Sequence, residues 1–224
     1  MHDTSNDPER KLRERLKRFL PPGTEKTIAR WMVEEQVHVR INKSRSSRSG
    51  DFFHAPGGQP RITINIDLDQ FSFLVTLVHE FAHLHAHKNY STGFWRRRID
   101  PHGREWKQEY RKLMNEFFGS GVFPPELEEV LTKHFVDPSA TACSDIHLER
   151  VLLKYSGKIS MLTLLADLKP GQIFKLPDGR LFRLEHKMRK NYSCTHLKDG
   201  RLFSIGGAMQ VMIVEPADMS MVQG

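Results

Sequence analysis

Four histidines and a glutamate fall within Leu77–His87, which reads LVHEFAHLHAH. His79 and His83 are four residues apart, so on an α-helix they stand one turn apart on one face and can reach one metal ion together. Glu80 adjoins His79 and leans toward the same ion without ligating it. In that arrangement a carboxylate takes a proton from a zinc-activated water during amide hydrolysis. A catalytic zinc ion takes three protein ligands and keeps one position open, so a third side chain is required. His87 continues the i, i+4, i+8 series, but eight residues of straight helix rise about 12 Å, whereas a zinc–nitrogen bond is about 2 Å. No glycine or proline lies between His83 and His87 to break the helix, which excludes His87 as a ligand. His102 stands at the start of the next predicted helix, after a connection short enough to fold two helices back on each other. Gly103 beside it permits close backbone approach. The expected centre is therefore Zn2+ on His79, His83 and His102, with Glu80 as the catalytic acid/base. His85 points away from the ligand face and is expected at the surface. His87 is expected at the surface or behind the ligands.

These side chains need elements to hold them. Helical spacing of Leu12, Leu16 and Phe19, then of Ile28, Trp31 and Met32, predicts helices over 8–19 and 24–36. VHVRIN at 37–42 and RITINI at 61–66 alternate and read as strands. KSRSSRSGDFFHAPGGQP between them reads as a long loop. A long apolar helix over 70–88 carries the histidines, and a loop over 89–99 carries WRRR. The next helix opens at DPHGREW, with Asp100 as N-cap and Pro101 in the first helical position. It buries Trp106, Tyr110, Leu113 and Phe117. Short helices follow at 125–133 and near 144–155. From 159 onward strands dominate, and LPDGRLFRL at 176–184 and LKDGRLFSI at 197–205 form a near-repeat. Each carries Asp-Gly where a hairpin turns. The expected organisation is a helical lead-in over 1–22, a metal-binding domain over 23–156 and a small antiparallel β domain over 157–224. The fold class is α+β.

Composition narrows the functional classes. The chain has 224 residues, 38% hydrophobic, which suffices for a real core. No apolar run approaches the roughly 18 residues that span a bilayer, so no membrane partner is expected. The first residues are charged throughout and lack the apolar stretch of a secretory signal, which predicts a cytoplasmic protein. Cys143 and Cys194 are too few for a disulfide framework or a four-cysteine metal site within one chain. The net charge of +7 favours acidic partners, DNA first among them. Basic clusters at 43–48, 95–98 and 187–190 are the candidate contacts, and Tyr192 is a candidate stacking platform.

The segments LVHEFAHLHAH at 77–87 and PHGREWKQEYRKLM at 101–114 resemble the SprT-like zinc metalloproteases, the family that includes eukaryotic Spartan. The shared pattern is HExxH on one helix and H-G-x-x-[WF] at the start of the next, within roughly residues 20–135. The resemblance implies a minimal zincin-type fold, a mixed sheet flanked by helices, with His79, His83 and His102 on zinc and Glu80 as general acid/base. It also implies cleavage of proteins crosslinked to DNA. The four-cysteine ribbon of many members is missing here; the tail is similar to that of ribbonless bacterial members. The leading expectation is a zinc endopeptidase acting on protein or peptide substrates, whose extended backbone would pair with the strand at 61–66. The rival is a non-catalytic nucleic-acid- or protein-binding module with a structural or vestigial metal site. Glu80 discriminates between them, because a closed structural site has no use for a carboxylate beside its ligand.

Overall fold

The fold is that of a computed structural model, which describes residues 8–43, 49–55, 57–90, 100–136, 146–156 and 162–214. It is a mixed α+β structure in two units, Met1–Ala140 and Thr141–Gly224. No helix among the described residues is long and apolar enough to cross a membrane.

The first unit runs α1 (Pro8–Leu16), α2 (Glu25–Glu34), β1 (His38–Asn42), β2 (Gly50–Phe53), β3 (Arg61–Asn65), α3 (Gln70–Tyr90), α4 (Arg104–Met114) and α5 (Pro125–Val136). The three strands form a mixed sheet in the order β1-β3-β2, with β1 parallel and β2 antiparallel to β3. β3 is thus paired on both sides, and Ile62 to Asn65 are all buried. The expectation that this strand would pair with a substrate is corrected: its ladder is already used.

β2 is the larger surprise, since the segment 43–60 reads as a loop. Gly50 and Asp51 belong to types that strands disfavour, and the strand exists through tertiary pairing, Phe52 opposite Ile62 and Asp51 opposite Thr63.

α3 is buried over most of its circumference, through Phe73, Leu74, Val75, Leu77, Val78, Phe81, Ala82, Leu84 and Ala86. Asp69 starts it, its Oδ1 accepting from the backbone N–H groups of Phe71 at 3.0 Å and Ser72 at 3.1 Å. Packing around α3 is aromatic: Phe19 stacks on Phe73, and Trp31 meets Phe81 and Phe117 edge-on. Phe117 is buried as expected, though it lies beyond the last residue of α4.

The second unit contains α6 (Ile146–Tyr155) and six strands, β4 (Thr163–Leu164), β5 (Ile173–Lys175), β6 (Leu181–Lys187), β7 (Asn191–His196), β8 (Leu202–Gly206) and β9 (Gln210–Val214). They form one antiparallel sheet in the order β4-β9-β5-β6-β7-β8. Both Asp-Gly turns close hairpins, with Gly179 at φ 89° and Gly200 at φ 71°, backbone angles that favour glycine. Gln210 Nε2 donates to Glu149 Oε2 at 3.4 Å, and Arg150 pairs with Asp167, so α6 is held to this sheet.

Phe174, Phe182, Leu184, Tyr192, Cys194 and Val211 form its core. Tyr192 is therefore a core residue, not an exposed platform. On the edge strand β8, Leu202 faces away from the core at 70% exposure, whereas Phe203, on the same face as buried Ile205, sits at the core's rim and meets Phe182 edge-on. Burial pushes the Cys194 thiol up to about 11, so it is an unreactive packing group. Cys143 and the basic clusters at 44–48 and 95–98 lie outside the described residues, whereas Lys187, Arg189 and Lys190 are exposed at the β6–β7 turn.

Candidate metal centre

α3 brings His79 and His83 to one face, and the turn before α4 brings His102 to meet them. The three Nε2 atoms form a nearly equilateral triangle: His79 to His83 3.2 Å, His83 to His102 3.1 Å, His102 to His79 3.1 Å. They are the one group of three or more metal-ligating side chains within reach of a common ion among the described residues.

The triangle is itself informative. A ring nitrogen of a neutral imidazole either donates or accepts a hydrogen bond. Three nitrogens in mutual contact cannot alternate, so at least one pair must face donor to donor or acceptor to acceptor. A cation that takes all three lone pairs removes the conflict. Tetrahedral bonds of about 2.0–2.1 Å place ligand nitrogens about 3.3–3.4 Å apart, within a few tenths of an ångström of the spacings here. The residues fit a divalent ion with one face left open.

The rings are poised in the ligating, neutral form. Burial holds His79 well below the usual imidazole range, with neighbouring His83, His102 and His134 acting in the same direction. Burial, and then His102, lower His83 to about 4, against the opposing pull of the Asp51 carboxylate. Burial lowers His102 too, opposed by Asp100. A metal would therefore not have to displace protons at neutral pH.

Trp106 is the shelf on which the triad rests. Its ring lies 4.7 Å from His79, 5.5 Å from His83 and 4.7 Å from His102, centroid to centroid. Its Nε1–H donates to the His79 carbonyl at 3.3 Å, tying α4 to α3. Trp106 closes the H-G-x-x-[WF] pattern that begins at His102, so the sequence marks it as more than one residue of the buried face of α4.

His102 sits in the turn before α4 rather than in its first turn, with φ at 70°. The helix begins at Arg104 with Gly103 as its N-cap, so the expected Asp100 cap and Pro101 start are corrected. The reason is local: left-handed backbone cannot propagate a right-handed helix. Gly103 N–H donates to the Asp100 carbonyl at 2.8 Å and closes the turn. A Cβ on Gly103 would stand 3.0 Å from that carbonyl oxygen, which accounts for the glycine. Such a conformation costs a non-glycine residue about 1–2 kcal/mol, and here it delivers the third imidazole.

Glu80 is buried on the same helix. β2 covers it, since a Cβ on Gly50 would meet Glu80 Oε1 at 2.7 Å and Thr76 Cγ2 at 2.8 Å. Tyr110, fully buried, donates to the Val75 carbonyl at 3.2 Å. Burial and then the Glu80 charge push its hydroxyl far above the ordinary range, so it stays neutral. Gly50→Ala is expected to lower stability by about 1–3 kcal/mol through overpacking, read as a lower urea midpoint. An unchanged midpoint would mean that β2 does not press on Glu80.

The remaining histidines divide. His85 is not at the surface: it lies between Glu35 and Glu109, each carboxylate 3.6 Å from a ring nitrogen. Six residues past His79, it faces the end of α2 and α4 instead of solvent. His87 is exposed and apart from the triad, its ring beside Phe52 and His54. Asp51 and Gly50 are the site neighbours that the sequence did not reveal, because both belong to the unexpected strand. None of the protein-family models, curated proteins or solved structures compared with the chain matches it.

Proposed function

We propose that the chain is a zinc-dependent endopeptidase of zincin type, in which His79, His83 and His102 hold the ion and Glu80 is the general acid/base. The observation that carries this reading is the triangle of imidazole nitrogens, 3.1–3.2 Å apart, with a buried carboxylate next to one ligand on the same helix. When bound, zinc supplies Lewis acidity, which polarises a carbonyl and acidifies a water. Glu80 takes the proton of the attacking water and returns it to the leaving amine, so the carboxylate is regenerated each cycle. The β2 backbone over Glu80 limits the carboxylate's motion and keeps it in position. The outer edge of β2, unpaired among the described strands, offers backbone hydrogen bonds to an extended peptide, a mode of recognition with little sequence preference.

The rival reading, a non-catalytic binding module, does not require a carboxylate on the residue next to a metal ligand. The charge of +7 and the exposed Lys187, Arg189 and Lys190 support substrates associated with DNA. The test is incubation of the purified chain with casein and with a DNA-bound protein, with and without chelator. Chelator-sensitive fragments, more abundant from the DNA-bound protein, are expected. Intact substrates after incubation with zinc-loaded protein would overturn the reading.

A further inference from the structure

A second pair of imidazoles stands outside the triad. His54, the residue after β2, and His87, near the end of α3, have ring centroids 4.9 Å apart with planes inclined by 53°. The ligand pair His79–His102 has centroids 5.0 Å apart and the same 53° inclination. The other ligand pairs lie at 4.9 and 4.7 Å. His54 and His87 thus have the ring spacing of the ligand pairs, close enough for one nitrogen of each to reach a common ion. Both rings are exposed, so solvent water can complete a coordination sphere. Phe52, its ring 6.2 Å from His87, forms one wall of the pair. His87 is drawn below the usual imidazole range, first by burial and then by His54, so the neutral ligating form prevails there at neutral pH.

We propose that His54 and His87 form a second, weaker site for a borderline divalent cation such as Zn2+, Ni2+ or Cu2+. Two imidazoles with open positions suit these ions and not the oxygen-seeking Mg2+ or Ca2+. One straight turn of α3 separates His87 from His83, a rise of about 6 Å, so the two sites are neighbours that share no ligand. An ion on this pair staples the end of β2 to α3. Because Gly50 of the same strand covers Glu80, occupancy would fix the strand that flanks the metal centre. Binding at this pair does not depend on whether the chain cuts peptide bonds.

The test is calorimetric titration of the metal-free full chain with zinc. Wild type is expected to take up a tight and a weaker equivalent. His54→Ala and His87→Ala should each lose the weaker equivalent and keep the tight one within about threefold in affinity, as expected of sites that share no ligand. Far-UV circular dichroism confirms that the variants fold, and substitution at two exposed positions leaves the core untouched. A single equivalent in wild type, or a weaker equivalent that persists in either variant, would overturn the proposal.

Discussion

His102→Ala should lose the tight metal, while His87→Ala should keep it. Loss of a supporting group around a metal costs about 10–100-fold in affinity, and removal of one of only three protein ligands should exceed that. His102 Nε2 lies 3.1 Å from both other nitrogens, so its removal leaves a two-imidazole site. His87 has its ring contacts with Phe52 and His54, not with the triad. Elemental analysis after dialysis against a competing chelator reads the difference. Equal loss in the two variants, or greater loss with His87→Ala, would show that the ligand set is wrong. His102→Ala also relieves no backbone constraint, since alanine tolerates φ near 70° no better than histidine. A drop in affinity therefore reports the lost ligand.

Glu80→Gln should keep the metal and lose proteolysis. The substitution preserves shape beneath Gly50 and removes the charge and the proton acceptor. General acid–base catalysis contributes about 10²–10⁴-fold, and kcat on casein should fall by that amount with unchanged zinc content. The neighbouring Tyr110 hydroxyl is raised by burial first and by the Glu80 charge second, so it stays neutral in the variant as in wild type and adds no new charge beside the site. Full activity in Glu80→Gln would refute the assigned role.

The ligand set was legible in the sequence because helical periodicity is rigid. A spacing of four places His79 and His83 together, and a rise of about 12 Å over eight residues excludes His87 from their ion. The hairpins of the second unit were legible because Asp-Gly turns have few alternatives. What stayed hidden depends on contacts distant in sequence. β2 is a strand only because β3 offers it a partner, and its Gly50 gains meaning only against Glu80. His85 reads as a surface residue until Glu35 and Glu109 arrive from α2 and α4. The start of α4 was misplaced because Asp-Pro is a strong opening signal, while the left-handed turn at His102 has no signature beyond the glycine that follows it. In the second unit, alternation puts Phe203 and Ile205 on one face of β8 and Leu202 on the other, but only the sheet order shows that β8 is an edge, where Phe203 stays partly uncovered.

We propose that a metal on His79, His83 and His102 and the Glu80 carboxylate together hydrolyse peptide bonds. The most direct measurement is the initial rate of casein cleavage by metal-free protein as zinc is added back, with new amino termini counted as product. Without metal no cleavage is expected; the rate should rise in step with occupancy of the tight site, and should not rise in His102→Ala or Glu80→Gln. Cleavage that is independent of zinc, or a fully loaded tight site that releases no new amino termini from casein or from DNA-bound protein, would contradict it.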